Sequence, residues 1–118
     1  MRSILIVSAV VLASTCSAFA EPKFVSKDGF VNAIIGKVIS SKTAKGNPFT
    51  ATFKADGTGD FQQKGKKPAH FDWAFEDKTV CWDFGDFKEC NKVEIVSSQK
   101  ANFYDAKTGK LNNAYSIQ

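Results

Sequence analysis

The sequence predicts a mainly β fold, an antiparallel up-and-down meander closing into a small barrel or curled sheet, with one short N-terminal helix. Three observations carry this. After Gly36 apolar and polar residues alternate at period two along most of the chain. Turn-forming groups recur at short intervals, at Lys45-Gly46-Asn47, Asp56-Gly57, Lys64-Gly65, Asp77-Lys78, Gly85-Asp86 and Thr108-Gly109. The chain has 118 residues, 13% of them aromatic, which suits one domain with enough large side chains to fill it.

Residues 1–20 read as a cleavable secretory signal. Arg2 is the positive n-region, Ile4 to Ala13 an apolar h-region, and Ala18-Phe19-Ala20 the small-x-small pattern that precedes a cut after Ala20. So short an apolar run cannot cross a bilayer core, which needs about 20 apolar residues. Lipoprotein processing at Cys16 is disfavoured by its flanks, Ala13 and Thr15. Residues 21–118 then form a single β domain, expected in the periplasm or the medium, without stable membrane insertion.

The elements follow in order. Phe30, Val31, Ile34 and Ile35 fall on one side of a helix over residues 28–35, with Ser26 or Asp28 as cap and Gly36 as stop. Three turns then fix strand register. A three-residue loop Ala55-Asp56-Gly57 sets Ala51 opposite Phe61, so that Phe49, Ala51, Phe53 and Phe61 share a face. A two-residue loop at Asp77-Lys78 sets Phe75 opposite Val80, Trp73 opposite Trp82 and Phe71 opposite Phe84. A type II′ turn at Gly85-Asp86 pairs Phe84 with Phe87 and brings Cys81 opposite Cys90 at a non-hydrogen-bonded position. These two cysteines are the pair left in the mature chain, and export favours their oxidation to a disulfide. The same register sets Glu89 on the aromatic face beside Trp82, so a bulge near 88–91 or an edge position giving Glu89 access to water is expected. Val93 and Ile95, Phe103 and Tyr104, and Tyr115 to Ile117 complete seven or eight strands, and the helix is expected to plug one end of the barrel.

Composition excludes more than it assigns. The mature chain has 15 Lys, no Arg and 12 acidic residues, a net charge of +3, spread along the sequence. Without arginine's bidentate fork a nucleic-acid partner is not expected. No Gly-rich phosphate loop, nucleophile elbow or zinc-protease helix occurs, so no catalytic residue, metal ligand or cofactor is assigned. His70, the one histidine, shares the face opposite the tryptophans with Asp72, with Asp83 across the strand pair and Lys88 beyond it. The plain reading is a solvated polar face; the alternative is a metal site or enzyme centred on His70. Lys64, Lys66 and Lys67 form a basic hairpin tip beside Pro68, able to touch anionic lipid, lipopolysaccharide or an acidic partner. The eleven Phe, one of them in the signal, two Trp and two Tyr are many for this length; those of the mature chain are read first as core, leaving a short barrel little room, and second as the wall of a pocket for an apolar ligand.

The order helix, Gly36-Lys37-Val38, Phe53-Lys54-Ala55-Asp56-Gly57-Thr58-Gly59, Trp73, Cys81-Trp82 and Cys90 resembles a family of small secreted alphaproteobacterial proteins, usually carried as a domain of unknown function. Val38 stands where that family usually has Thr, and Asp72 where a glycine before the tryptophan is common. The resemblance spans most of residues 28–96. It implies an envelope location and a calycin-like β fold, and it brings no active site. Small periplasmic inhibitors of lysozymes and proteases share the size and architecture only as fold-level analogy. The expectation is an exported, non-enzymatic envelope protein acting by binding, to a protein partner first and, as the alternative, as a lipocalin-like carrier of a small apolar molecule.

Overall fold

The computed structural model describes residues 22–118; the expected signal segment, its expected cleavage point and Cys16 lie outside the described residues. One helix, α1 (Lys27–Ile34), precedes eight strands: β1 (Val38–Lys42), β2 (Pro48–Phe53), β3 (Thr58–Gln63), β4 (Ala69–Glu76), β5 (Thr79–Asp83), β6 (Lys88–Ser97), β7 (Lys100–Asp105) and β8 (Leu111–Ile117). Each strand pairs antiparallel with the next, and β1 pairs with β8, closing the barrel. Closure leaves no free edge strand among the described residues, the unpaired row that otherwise invites aggregation.

Ser26 caps α1, its Oγ accepting weakly from the Gly29 N–H at 3.4 Å. Asp28 in the first turn complements the helix dipole. Past the helix end, the Gly36 N–H donates to the Phe53 carbonyl at 2.9 Å and ties α1 to the end of β2. Phe30 and Ile34 enter the barrel, both fully buried. The Phe30 ring packs 5.3 to 5.6 Å from Phe53, Trp73 and Phe75, and burying one phenylalanine in this way contributes about 2–3 kcal/mol. The helix therefore seals one end of the barrel.

Local turn chemistry sets the registers. Asp77 and Lys78 both have positive φ, 54° and 64°, the conformation of a two-residue I′ hairpin, and Trp73↔Trp82 and Phe75↔Val80 follow. Gly85, at φ 98°, begins the next turn, in which the Phe84 N–H donates to the Phe87 carbonyl at 2.8 Å. Cys81 then faces Cys90 with Cα atoms 4.0 Å apart, and the two are disulfide-bonded on the outer face. Gly59 answers to packing instead. A Cβ there would sit 2.1 Å from the Phe71 ring, so any larger residue must displace that buried ring.

One sequence expectation is corrected. The β5–β6 ladder runs without a bulge from Asp83↔Lys88 to Val80↔Asn91, and the closed barrel offers no edge, so Glu89 points inward opposite Trp82. It is held there by hydrogen bonds and by its position near the barrel opening. The irregularities lie elsewhere, between Ile95 and Ser97 and between Phe103 and Tyr104. The β6–β7 turn at Ser98-Gln99 has no glycine or proline to announce it; the Ser97 hydroxyl accepts from the Gln99 N–H at 3.2 Å.

Candidate functional site

In an up-and-down barrel successive turns alternate between the two ends. The β2–β3, β4–β5 and β6–β7 turns share the end sealed by α1, and the β1–β2, β3–β4, β5–β6 and β7–β8 loops surround the other. At the sealed end Phe30, Ile34, Phe53 and Phe103 are fully buried. Toward the other end the packing stops short. A cavity of about 740 Å³ opens there, walled by Phe49, Phe61, Trp82, Phe84 and Tyr115, with Phe87 at its lip. The expectation that aromatic side chains leave little room thus holds at the helix end and fails at the mouth.

Strand alternation supplies this wall. Phe49 lies on β2, Phe61 on β3, Trp82 on β5 and Tyr115 on β8, each at an inward position. Phe49 and Phe61 stack with ring centroids 4.9 Å apart, and Phe61 meets Phe84 edge to face at 5.4 Å, contacts that hold the rings in place. Outside, β1 and β8 share only two register pairs, Ile39↔Ile117 and Ser40↔Ser116. Beyond them the seam is held by side chains, with Ser41 Oγ donating to the Ala114 carbonyl at 2.8 Å and Asn113 Nδ2 to the Lys42 carbonyl at 2.9 Å. A more open outer depression of about 800 Å³ crosses this seam and shares Lys42, Phe49, Asn112 and Asn113 with the mouth cavity.

The polar groups inside form a short network. Glu89 Oε2 accepts from Trp82 Nε1 at 3.3 Å and from Asn91 Nδ2 at 2.8 Å, while Asn91 Oδ1 accepts from Asn112 Nδ2 at 2.7 Å. Asn91 is fully buried with its amide paired at both ends, as an interior amide must be to avoid a desolvation penalty. Tyr115 is the exception. It is 1% exposed, and its hydroxyl is the one buried side-chain polar atom among the described residues without a hydrogen-bond partner. Burial, and then the negative charge of Glu89, hold the Tyr115 phenol far above the ordinary tyrosine range.

The residues singled out in the sequence lie outside the cavity or on its rim. His70, Asp72, Asp83 and Lys88 occupy the outer face in the expected ladder, Asp72↔Asp83 and Asp83↔Lys88. They do not converge. His70 Nδ1 lies 2.8 Å from Asp60 Oδ1 on β3, and Lys54 Nζ lies 2.9 Å from Asp60 Oδ2, so the carboxylate partner of His70 is Asp60. The hydrogen bonds from Lys54 and then His70 hold the Asp60 carboxyl below its usual range. Asp83 caps its turn, accepting from the Gly85 N–H at 2.8 Å. Among the described residues no three metal-ligating side chains come together. Lys64, Lys66 and Lys67 stand exposed in the β3–β4 loop at the mouth.

Glu89 and Tyr115 were not recognisable as site residues from sequence. Glu89 left one signal, an acid at an inward-facing position; Tyr115 left none, since a tyrosine on a terminal strand is ordinary. The side chains that line the cavity are mostly rings, with two asparagine amides, a phenol and the Glu89 carboxylate, and with His70, Asp86 and Lys42 at the rim, a set suited to holding a molecule by shape and hydrogen bonds. Comparison of the chain with protein-family models, with curated proteins and with solved structures found no match.

Proposed function

We propose that the protein is an exported carrier that holds one small amphipathic molecule in the open end of its barrel. The observation that carries this reading is the one-ended aromatic cavity, with Tyr115 and the Glu89 carboxylate among its lining residues. A volume of about 740 Å³ lies within the roughly 300–1,000 Å³ of small-molecule sites, and it moves the reading from a protein partner to a small ligand. The wall accommodates an apolar or aromatic body. Glu89 in the lining accepts hydrogen bonds, so the polar end of the ligand carries a donor such as a hydroxyl or an amine. Export is supported by the N-terminal pattern of residues 1–20 and by the Cys81–Cys90 disulfide.

The two tryptophans make a built-in test. Trp82 lines the cavity, whereas Trp73 sits at the sealed end with its indole N–H donating to the Lys54 carbonyl at 2.8 Å. Titration with N-phenyl-1-naphthylamine, followed through the two indole ¹⁵N–¹H resonances, is expected to move Trp82 and leave Trp73 in place. Movement of neither resonance, or of Trp73 alone, refutes the cavity as a binding site.

A further inference from the structure

The two ends of the barrel differ sharply in charge. The four loops at the mouth, residues 43–47, 64–68, 84–87 and 106–110, carry six lysines (Lys45, Lys64, Lys66, Lys67, Lys107, Lys110) against one acid, Asp86. At the sealed end, α1 with residues 35–37, 54–57, 77–78 and 98–99 carries Lys27, Lys37, Lys54 and Lys78 against Asp28, Asp56 and Asp77. A chain with a modest net charge thus concentrates its excess around the opening. All six mouth lysines are exposed, and among the described residues none of them takes part in an ion pair. Within the same ring two large apolar side chains face solvent, Phe87 at 56% and Leu111 at 51% exposure. Phe87 also lines the cavity lip.

We infer that the mouth of the barrel docks on an anionic lipid surface, with the lysine loops against the headgroups and Phe87 and Leu111 reaching into the interfacial layer. Lysines around an apolar tip suit this surface because their ammonium groups meet phosphates while the apolar side chains leave water. Each lysine held near an anionic bilayer contributes about fivefold in affinity, and the contribution falls off within a Debye length of about 8 Å at physiological salt. Only the loops that touch the surface therefore count. Docking in this orientation places the cavity opening against the membrane, where an amphipathic ligand can pass between bilayer and barrel without crossing water. The charge complementarity favours lipid over an acidic protein, since the basic groups come from three of the four loops around the opening and the fourth carries the exposed Phe87, so that charge and apolar surface share one rim.

The test is co-sedimentation of the mature protein with phosphatidylethanolamine vesicles containing about 30% phosphatidylglycerol, a composition chosen for its surface charge, against vesicles of phosphatidylcholine alone. Binding is expected to the first only, and to weaken steeply with added salt. The triple substitution Lys64→Glu, Lys66→Glu, Lys67→Glu should weaken it by about a hundredfold or more, from three lysines at about fivefold each. The charge-matched control Lys27→Glu, Lys37→Glu, Lys78→Glu at the sealed end should leave it within about threefold, those groups being farther than a Debye length from the surface. Phe87→Ser should weaken binding without changing its salt dependence. Equal loss in the two triple variants, equal binding to both vesicle types, or binding to polyglutamate with no vesicle sedimentation overturns the docking. The Trp82 titration reads the cavity separately, so docking and ligand binding can fail independently.

Discussion

Replacing Tyr115 with phenylalanine should make the ligand-free protein more stable, the reverse of what removing a buried polar contact ordinarily does. The hydroxyl is buried beneath the mouth cavity and takes no partner among the described residues. A buried polar group left unpaired costs about 1–3 kcal/mol. Tyr115→Phe removes that cost and leaves a void of one oxygen atom, which at about 24 cal/mol per Å³ and roughly 12 Å³ returns only about 0.3 kcal/mol. The ring keeps its contacts with Phe103 at 4.6 Å and Phe49 at 5.8 Å. The net gain is about 0.7–2.7 kcal/mol, with Tm rising by about 4–8 °C for each kcal/mol in a domain of this size. Urea denaturation of delipidated protein at pH 7 reads the gain as a higher midpoint at unchanged m. The phenol is also a pH probe. Because burial raises its folded pKa above the unfolded value of about 10, its contribution to stability is complete below pH 10. It is lost as pH rises beyond that, at up to about 1.4 kcal/mol per pH unit. Tyr115→Phe should therefore flatten the alkaline decline. A variant with an unchanged or lower urea midpoint, and the same alkaline slope as the parent, refutes the reasoning by showing that the hydroxyl has a partner in the folded state.

Three further outcomes follow from the packing and the charges. Gly59→Ala should destabilise by about 1–3 kcal/mol, as overpacking does, because the new methyl group must displace the buried Phe71 ring; calorimetry checks it, and a neutral result contradicts the close approach. Removing the disulfide by Cys81→Ser with Cys90→Ser should cost about 2–3 kcal/mol, the loop entropy of a short closure. Denaturation with and without dithiothreitol should then coincide for the variant and differ for the parent. Lys54→Ala should raise the Asp60 midpoint toward the ordinary carboxylate value, since the Lys54 hydrogen bond is the leading cause of its depression. Depression gives Asp60 a stabilising part above the unfolded carboxyl pKa that is lost as pH falls through the folded one, and carbon-detected NMR of the Asp60 carboxyl checks the shift.

The sequence by itself determined the hairpins. Asp77-Lys78 and Gly85-Asp86 encode two-residue turns, so Trp73↔Trp82 and Cys81↔Cys90 were readable from local backbone preferences acting over a few residues. The helix was equally legible, because the Ser26 cap, the Phe30 and Ile34 spacing and the Gly36 stop are also local. Tertiary structure decided what depends on non-local contact. Whether β1 meets β8 rests on strand tilt and stagger accumulated around the whole sheet, and no turn sequence states it. The β3–β4 loop is too long to fix a register by turn type, so the pairing that sets Asp60 beside His70 emerged only in the fold. Alternation read Glu89 as facing inward, but only barrel closure decided that it could not escape to an edge, and only the packed barrel showed the carboxylate bonded to Trp82 and Asn91. The cavity has the same origin. Aromatic side chains that fill the helix end leave the mouth open because α1 covers one end of the cylinder and nothing among the described residues covers the other.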